Sequence, residues 1–145
     1  MPEPLITQAT PDDLPHCASI YKEAFAAAPY YEEWRFDDAR ELLAALLQRD
    51  PETCFCLIYE GAVVGFAFCS TLGRFRAVVE EIALRPAFQG RGWGALLLEH
   101  CLSVFRQRGF PVAELIANQE APAFAFYTRL GFRPARRNLL MLRDL

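Results

Sequence analysis

The stretch "RPAFQGRGWGALLLEHC", residues 85 to 101, sets Gly90, Gly92 and Gly94 directly before an apolar run with helical spacing. Glycine inside a helix costs about 1 kcal/mol relative to alanine, so a chain that opens a helix this way needs something the Cβ would obstruct. "RAVVEEIALR" before the stretch and "PVAELIAN" after its helix both read as strands. Strand, turn, helix and strand make a βαβ unit, whose two strands run parallel through a right-handed crossover. The first turn of its helix presents N–H groups that no helical carbonyl can satisfy, and the helix dipole adds partial positive charge there. Bare glycine backbone at that place suits a diphosphate. The competing reading is a tight turn with no ligand.

Two other phosphate motifs fit less well. A P-loop needs Gly-Lys-Ser/Thr, which does not follow. A dinucleotide fingerprint would use Gly90, Gly92 and Ala95 with Glu114 as the ribose acid. However, four residues separate the turn from its strand, and too little chain follows for the further parallel strands of that fold.

The rest of the chain frames this unit. "LITQAT" alternates like a strand, and Thr10, Pro11 and Asp13 then supply an N-cap, a first helical residue and a capping-box acid. Leu14, Cys17, Tyr21, Ala24 and Phe25 form the stripe of the helix that follows, which ends by Pro29. Asp37 caps a second helix with Ala39, Leu42, Leu43, Leu46 and Leu47 on one face. Two strands turn at Glu60 and Gly61, and a third follows the Gly73 turn, giving an antiparallel meander. The glycine-led helix spans about residues 92 to 108, with Leu96, Leu97, Cys101, Leu102 and Phe105 inward and Gly109 as left-handed C-cap. "APAFAFYTRL" is a short helix closed by Gly131, and "RNLLMLRDL" a last strand.

Composition narrows the function. At 145 residues the expectation is one domain over residues 1 to 145. A net charge of -3 without a basic patch argues against a nucleic-acid partner. Neither a signal-like segment nor an eighteen-residue apolar run occurs, so no membrane partner and a cytoplasmic location are expected. The five cysteines are odd in number, lack CxxC spacing and lie mostly in apolar segments. They read as buried small hydrophobes, with no metal site.

"EIALRPAFQGRGWGALLLEH" resembles the acetyl-coenzyme A motif of the GNAT N-acetyltransferase superfamily, in which a strand and proline lead to Gln/Arg-x-x-Gly-x-Gly/Ala. Gln89, Gly92 and Gly94 fill that pattern, and "FAFYTRLGFRP" is similar to the family's C-terminal motif. The order of elements agrees from end to end. The resemblance implies an α/β (α+β) fold with a central mixed, mostly antiparallel sheet, helices on both faces, and one splayed parallel strand pair that admits the pantetheine arm. It implies acetyl-coenzyme A as cosubstrate, with Ile82, Ala83 and Leu84 beside the arm and Gln89, Gly90, Arg91, Gly92, Trp93 and Gly94 at the diphosphate. Ala95 is a further candidate donor. Asn118 matches an asparagine that often touches the cofactor, although it lies nine residues before Tyr127, about two more than is common. The implied activity is acetylation of a primary amine on a small molecule or peptide by direct attack, in an acyltransferase that can be a homodimer. A non-catalytic acyl-coenzyme A sensing module is the alternative.

An alkylamine with pKa near 10 is only about one part in a thousand neutral at pH 7, so a base is useful. The resemblance puts Glu81 at the acid that often precedes the cofactor strand. Alternation places Glu80 on the opposite face, Glu114 sits on the neighbouring strand, and a water is a further option. Tyr127 matches the family's proton donor to the departing thiolate, which a phenol protonated at neutral pH can serve. Cys101 has no partner base near it, since the adjacent His100 points to a different face of the helix, and His16 and His100 read as surface or packed residues, so a covalent triad is not expected. The "APYYEEW" segment, residues 28 to 34, occupies the place where the family commonly builds an acceptor wall. Its aromatic rings and acids suit a cationic amine or anchor the loop, whereas Arg74 and Arg76 suit an acceptor carboxylate.

Overall fold

The computed structural model describes residues 2–145. Four strands, β1 (Leu5–Gln8), β2 (Cys54–Tyr59), β3 (Ala62–Leu72) and β4 (Arg76–Leu84), form an antiparallel sheet in that spatial order. The β2–β3 turn puts Glu60 and Gly61 at φ 50° and 79°, the two left-handed positions of a tight hairpin.

Helices cover both faces. α1 (Leu14–Ala26) and α2 (Phe36–Arg49) close one face over Cys54, Cys56, Phe66 and Phe68. α3 (Trp93–Gln107) closes the other over Phe55, Leu57, Ala67, Cys69 and Val79. The residues of β2 and β3 alternate between these two cores, as the period of two requires. A 3-10 turn at Pro11–Asp13 leads into α1, and the Asp13 carboxylate accepts the Thr10 backbone N–H at 2.9 Å, closing the expected capping box. α2 begins at Phe36 with Arg35 as N-cap, so Asp37 lies in the first turn, where its charge still complements the dipole. In α3 the buried stripe is Leu97, Leu98, Cys101 and Phe105. Leu96, expected inside, is 45% exposed because the helix is rotated slightly about its axis. Gly109 follows at φ 86° and donates to Arg106.

The parallel pair exists at one point. Val79 N–H donates to Glu114 O at 2.9 Å and Glu114 N–H to Ala77 O at 2.8 Å, a parallel bridge between Val78 and Glu114. Beyond it no ladder joins Ile82 and Leu84 to residues 115–118, so the expected strand "PVAELIAN" is reduced to that bridge and the two segments diverge. α4 (Pro122–Arg129) then ends against Gly131, at φ 95°. The strand expected in "RNLLMLRDL" does not form: a strand needs a paired neighbour, and residues 137–145 pair with none among the described residues. Leu139, Leu140, Met141 and Leu142 are exposed. All five cysteines are free and buried. Among the described residues no helix is long and apolar enough to cross a membrane.

Candidate active site

The register of β4 decides what its residues face. Phe68 pairs with Glu81 and Cys69 with Val79, so Glu80 is an extra residue on β4, a β-bulge. Val79 N–H, before the bulge, points away from β3 toward Glu114. Past the bulge Arg85 N–H donates to Val64 O on β3 at 2.9 Å, so the alternation assigns Ala83 to β3 and turns the N–H and C=O of Ile82 and Leu84 outward into the gap. Leu84 O takes a bond from Gln89 Nε2 at 3.1 Å, consistent with that direction. The edge of β4 expected to flank an extended ligand arm is therefore turned away from β3 at Ile82 and Leu84, with Leu84 O held by Gln89, while Ala83, expected beside them, is committed to Phe66.

The bulge also overturns the expected separation of the two acids. Glu80 accepts a hydrogen bond from Ser70 Oγ at 2.8 Å, and Glu81 accepts one from Tyr21 Oη at 3.3 Å. Ser70 shares its face of β3 with Phe68, in the core under α1 and α2, where Tyr21 also lies. Both carboxylates thus project from the α1–α2 face, because one inserted residue resets the alternation. Burial pushes the Glu81 carboxyl up to about 7; the Tyr21 bond opposes this, and the charges of Glu80 and Glu32 add to it. Glu114 is differently placed: Arg76 holds both its oxygens, at 3.2 and 3.0 Å, on the surface. That bidentate pair removes Glu114 as a base candidate and Arg76 as a ready carboxylate binder.

Tyr127 packs beside Phe126 and Phe132, with ring centroids 5.4 and 6.0 Å away. Burial, then the charges of Tyr30 and Glu81, push its phenol up to about 12. The charges of Tyr30 and Glu81 thus both reach Tyr127. Tyr30 comes from the segment between α1 and α2, whose Glu32 accepts the Trp34 indole N–H at 2.7 Å. Trp34 stands edge-on to Tyr21 at 4.9 Å, and Tyr30 edge-on to Phe25 at 4.9 Å. The aromatic residues anchor this loop, as one of the two readings expected, and the charge of its Glu32 acts on Glu81.

At the other end of the gap lies the glycine turn. Gly90 and Gly92 adopt φ 77° and 83°, and a Cβ at either would meet nothing within 4 Å. The left-handed backbone demands glycine, and the space beside it is open. Gly92 is the N-cap of α3, and the first helical bond runs from Leu96 N–H to Gly92 O. The N–H groups of residues 90 to 95 have no acceptor among the described residues. These donors at the start of a fifteen-residue helix fit a diphosphate. Gln89 is turned the other way: its N–H donates to Pro86 O at 3.2 Å and its side chain to Leu84 O, so it braces the turn. Arg91 lies over the rings of Phe88 and Trp93, 5.1 and 5.3 Å from their centroids, which holds a positive charge beside the turn. A Cβ on Gly94 would lie 3.4 Å from Phe126 and 3.5 Å from Leu84, so the bare glycine stands between α4 and β4. Asn118 Oδ1 accepts the Glu120 N–H at 2.8 Å, an Asx turn that leads into α4.

Two residues escaped the sequence reading. A Cβ on Gly65 would collide with the Leu84 side chain, so this glycine lets β4 seat Leu84 over β3. Tyr21 read only as core, yet it bonds Glu81. A hollow of about 660 Å³ bounded by Asp13, His16, Tyr59, Arg85 and Phe88 includes neither Glu81 nor Tyr127. Among the described residues no group of three or more histidine, cysteine or acidic side chains is placed to hold a metal.

Comparison with known proteins gives this geometry a context. Residues 17–132 match the model of the Acetyltransferase (GNAT) family. An uncharacterized N-acetyltransferase of Methanocaldococcus jannaschii is 31% identical over 134 residues, covering 88% of this chain and 59% of that protein, so the chain spans well under two thirds of this relative. An uncharacterized N-acetyltransferase of Archaeoglobus fulgidus is 31% identical over 135 residues, covering 88% of this chain and 92% of that one. The crystal structure of PaiA N-acetyltransferase from Thermoplasma acidophilum in complex with coenzyme A shares the fold, with TM-score 0.78, 18% identity and coverage of 91% of each chain.

Proposed function

The chain belongs to the GNAT acetyltransferase family, and on that premise we propose that it transfers the acetyl group of acetyl-coenzyme A to a primary amine by direct attack, with Glu81 as base and Tyr127 as donor to the leaving sulfur. The observation that supports the reading is a carboxyl raised to about 7 whose charge acts on the Tyr127 phenol, on a strand that leads into open N–H groups at the start of α3.

Acetyl-coenzyme A supplies an acetyl group already activated as a thioester. The N–H groups of Gly90 to Ala95, helped by the Arg91 charge, hold the diphosphate, and the outward backbone of Ile82 and Leu84 lines the arm. Above pH about 7 Glu81 is a carboxylate and takes a proton from the bound ammonium to free the attacking amine, or from the amine as it attacks, directly or through one water. As the C–N bond forms and the C–S bond breaks, Tyr127 donates a hydrogen bond to the departing sulfur. A phenol at about 12 is a weaker acid than a thiol at about 8.5, so full proton transfer is uphill while Glu81 is charged. Protonation of Glu81 cancels a charge that holds the phenol up, which makes Tyr127 a better donor when the thiolate leaves.

The acceptor site is bounded by Tyr30, Glu32 and Trp34. With Arg76 bound to Glu114, the negative field of Glu32, Glu80 and Glu81 favours a cationic amine over one recognised through a carboxylate. Free thiol released from acetyl-coenzyme A across a panel of diamines, amino-terminal peptides and aminoglycosides tests the proposal. Thiol release with at least one amine, reduced in Tyr127→Phe, is expected. Cofactor binding without release on any amine, and no effect of Tyr127→Phe, would instead leave a sensing module.

A further inference from the structure

We propose that Tyr21 is a positioning residue for this transfer: its hydroxyl fixes one oxygen of Glu81 and ties the carboxylate to the segment between α1 and α2. The inference rests on Glu81 being the base. Tyr21 is only 4% exposed, sits on α1 and donates to Glu81 Oε1 at 3.3 Å. Its ring is held on three sides, by Phe25 at 4.6 Å, Trp34 at 4.9 Å and Phe66 at 6.5 Å between centroids. A hydroxyl on so constrained a ring has one direction to point, and it meets the carboxyl that β4 brings down past its bulge. With Oε1 engaged, Oε2 is left to face the amine. A carboxylate held by one donor loses a rotational freedom that would otherwise be lost in the transition state.

The same contact connects substrate wall and base. Trp34 touches the Tyr21 ring by its edge and gives its N–H to Glu32, so a shift of the loop moves the ring that orients Glu81. The groups that act on Glu81 are Glu80 on its own strand, Glu32 on the loop and Tyr21 on α1, while Tyr127 on α4 feels the Glu81 charge. Both acids raise the Glu81 carboxyl and the Tyr21 bond lowers it, so removing the hydroxyl must move Glu81 upward. Burial first, then the Glu81 charge and the bond to it, hold the Tyr21 phenol well above its ordinary range, so it stays protonated throughout.

Tyr21→Phe keeps the ring and its three contacts and removes only the hydroxyl. The test is a carbon-13 NMR titration of side-chain-labelled glutamates, with the Glu81 resonance identified by its disappearance in Glu81→Gln. In the unaltered protein Glu81 is expected to titrate near 7, and in Tyr21→Phe its midpoint rises by about half a unit to one unit, the scale of one lost hydrogen bond. Coenzyme A affinity, read in parallel, stays within twofold and confirms the fold. A midpoint near 7 that Tyr21→Phe leaves unmoved overturns the assignment of Tyr21 and leaves the base intact. A Glu81 that titrates in the ordinary carboxylate range in the unaltered protein removes the base itself. On any amine that supports thiol release, the loss of rate caused by Tyr21→Phe must vanish when Glu81 is already glutamine. An equal loss in both backgrounds makes Tyr21 a packing residue only.

Discussion

The glycine turn before α3 and the acid pair on β4 lie at opposite ends of one gap and are built on different principles. The turn works through backbone: left-handed φ at Gly90 and Gly92, empty space where side chains would be, and N–H groups that α3 leaves over. The acid pair works through side chains whose direction depends on a single inserted residue in β4. A backbone site announces itself in composition, because only glycine satisfies it. A side-chain site is only as legible as the register that aims it, and register is a property of the paired strands.

The largest break of this comparison comes from Glu81→Gln. Removing a general base is expected to cost roughly 10²- to 10⁴-fold in kcat, with coenzyme A affinity unchanged, as thiol release and calorimetry on one preparation would show. Tyr127→Phe follows, with a loss in kcat of about 10- to 100-fold and little change in cofactor affinity; a phenol that only packs would shift the thermal midpoint instead. Gly92→Val attacks the other end. A β-branched residue at φ 83° carries strain of about 1–3 kcal/mol, and its side chain projects into the space assigned to the diphosphate. Coenzyme A affinity should fall at least about tenfold in the folded variant, with the acetyl-transfer step unaffected once cofactor saturates.

A smaller effect separates the regions by pH. Glu81 is raised from an ordinary carboxylate value to about 7, so between about pH 4.5 and 7 the folded chain holds a proton that the unfolded chain has released. Stability is then full below that window and falls as pH rises through it, by up to ~3 kcal/mol for a shift of this size. Thermal melts should show the decline between pH 5 and 8 in the unaltered protein and its absence in Glu81→Gln. Glu80→Gln is the smallest step: it removes one negative neighbour and should lower the pH at which rate rises by a fraction of a unit, read from the acidic limb of kcat/KM.

The helices of the βαβ unit, the tight turn at Glu60 and Gly61 and the capping box at Thr10 and Asp13 were legible because local chemistry decides them. The open glycine backbone of the turn is legible for the same reason, except that Gln89 braces the turn with donors that the pattern assigned to a ligand. Strand alternation placed Glu80 and Glu81 on opposite faces; the bulge puts them together, and nothing local in "VVEEIAL" marks the extra residue. Glu114 looked equivalent to them until Arg76, distant in sequence, took both its oxygens. Tyr21 read as a core aromatic because burial and spacing describe its ring and are silent about its hydroxyl. The last strand is expected from "RNLLMLRDL" alone, yet a strand is made by its neighbour, and this segment pairs with none among the described residues.

The central claim is that the open backbone of residues 90 to 95 receives coenzyme A and delivers its thioester to Glu81 and Tyr127. Isothermal titration of the folded protein with acetyl-coenzyme A tests it most directly. Saturable binding in the micromolar range, weakened at least about tenfold by Gly92→Val and left unchanged by Glu81→Gln, is the predicted result. No binding at millimolar ligand, or equal binding by the Gly92→Val variant, would contradict it.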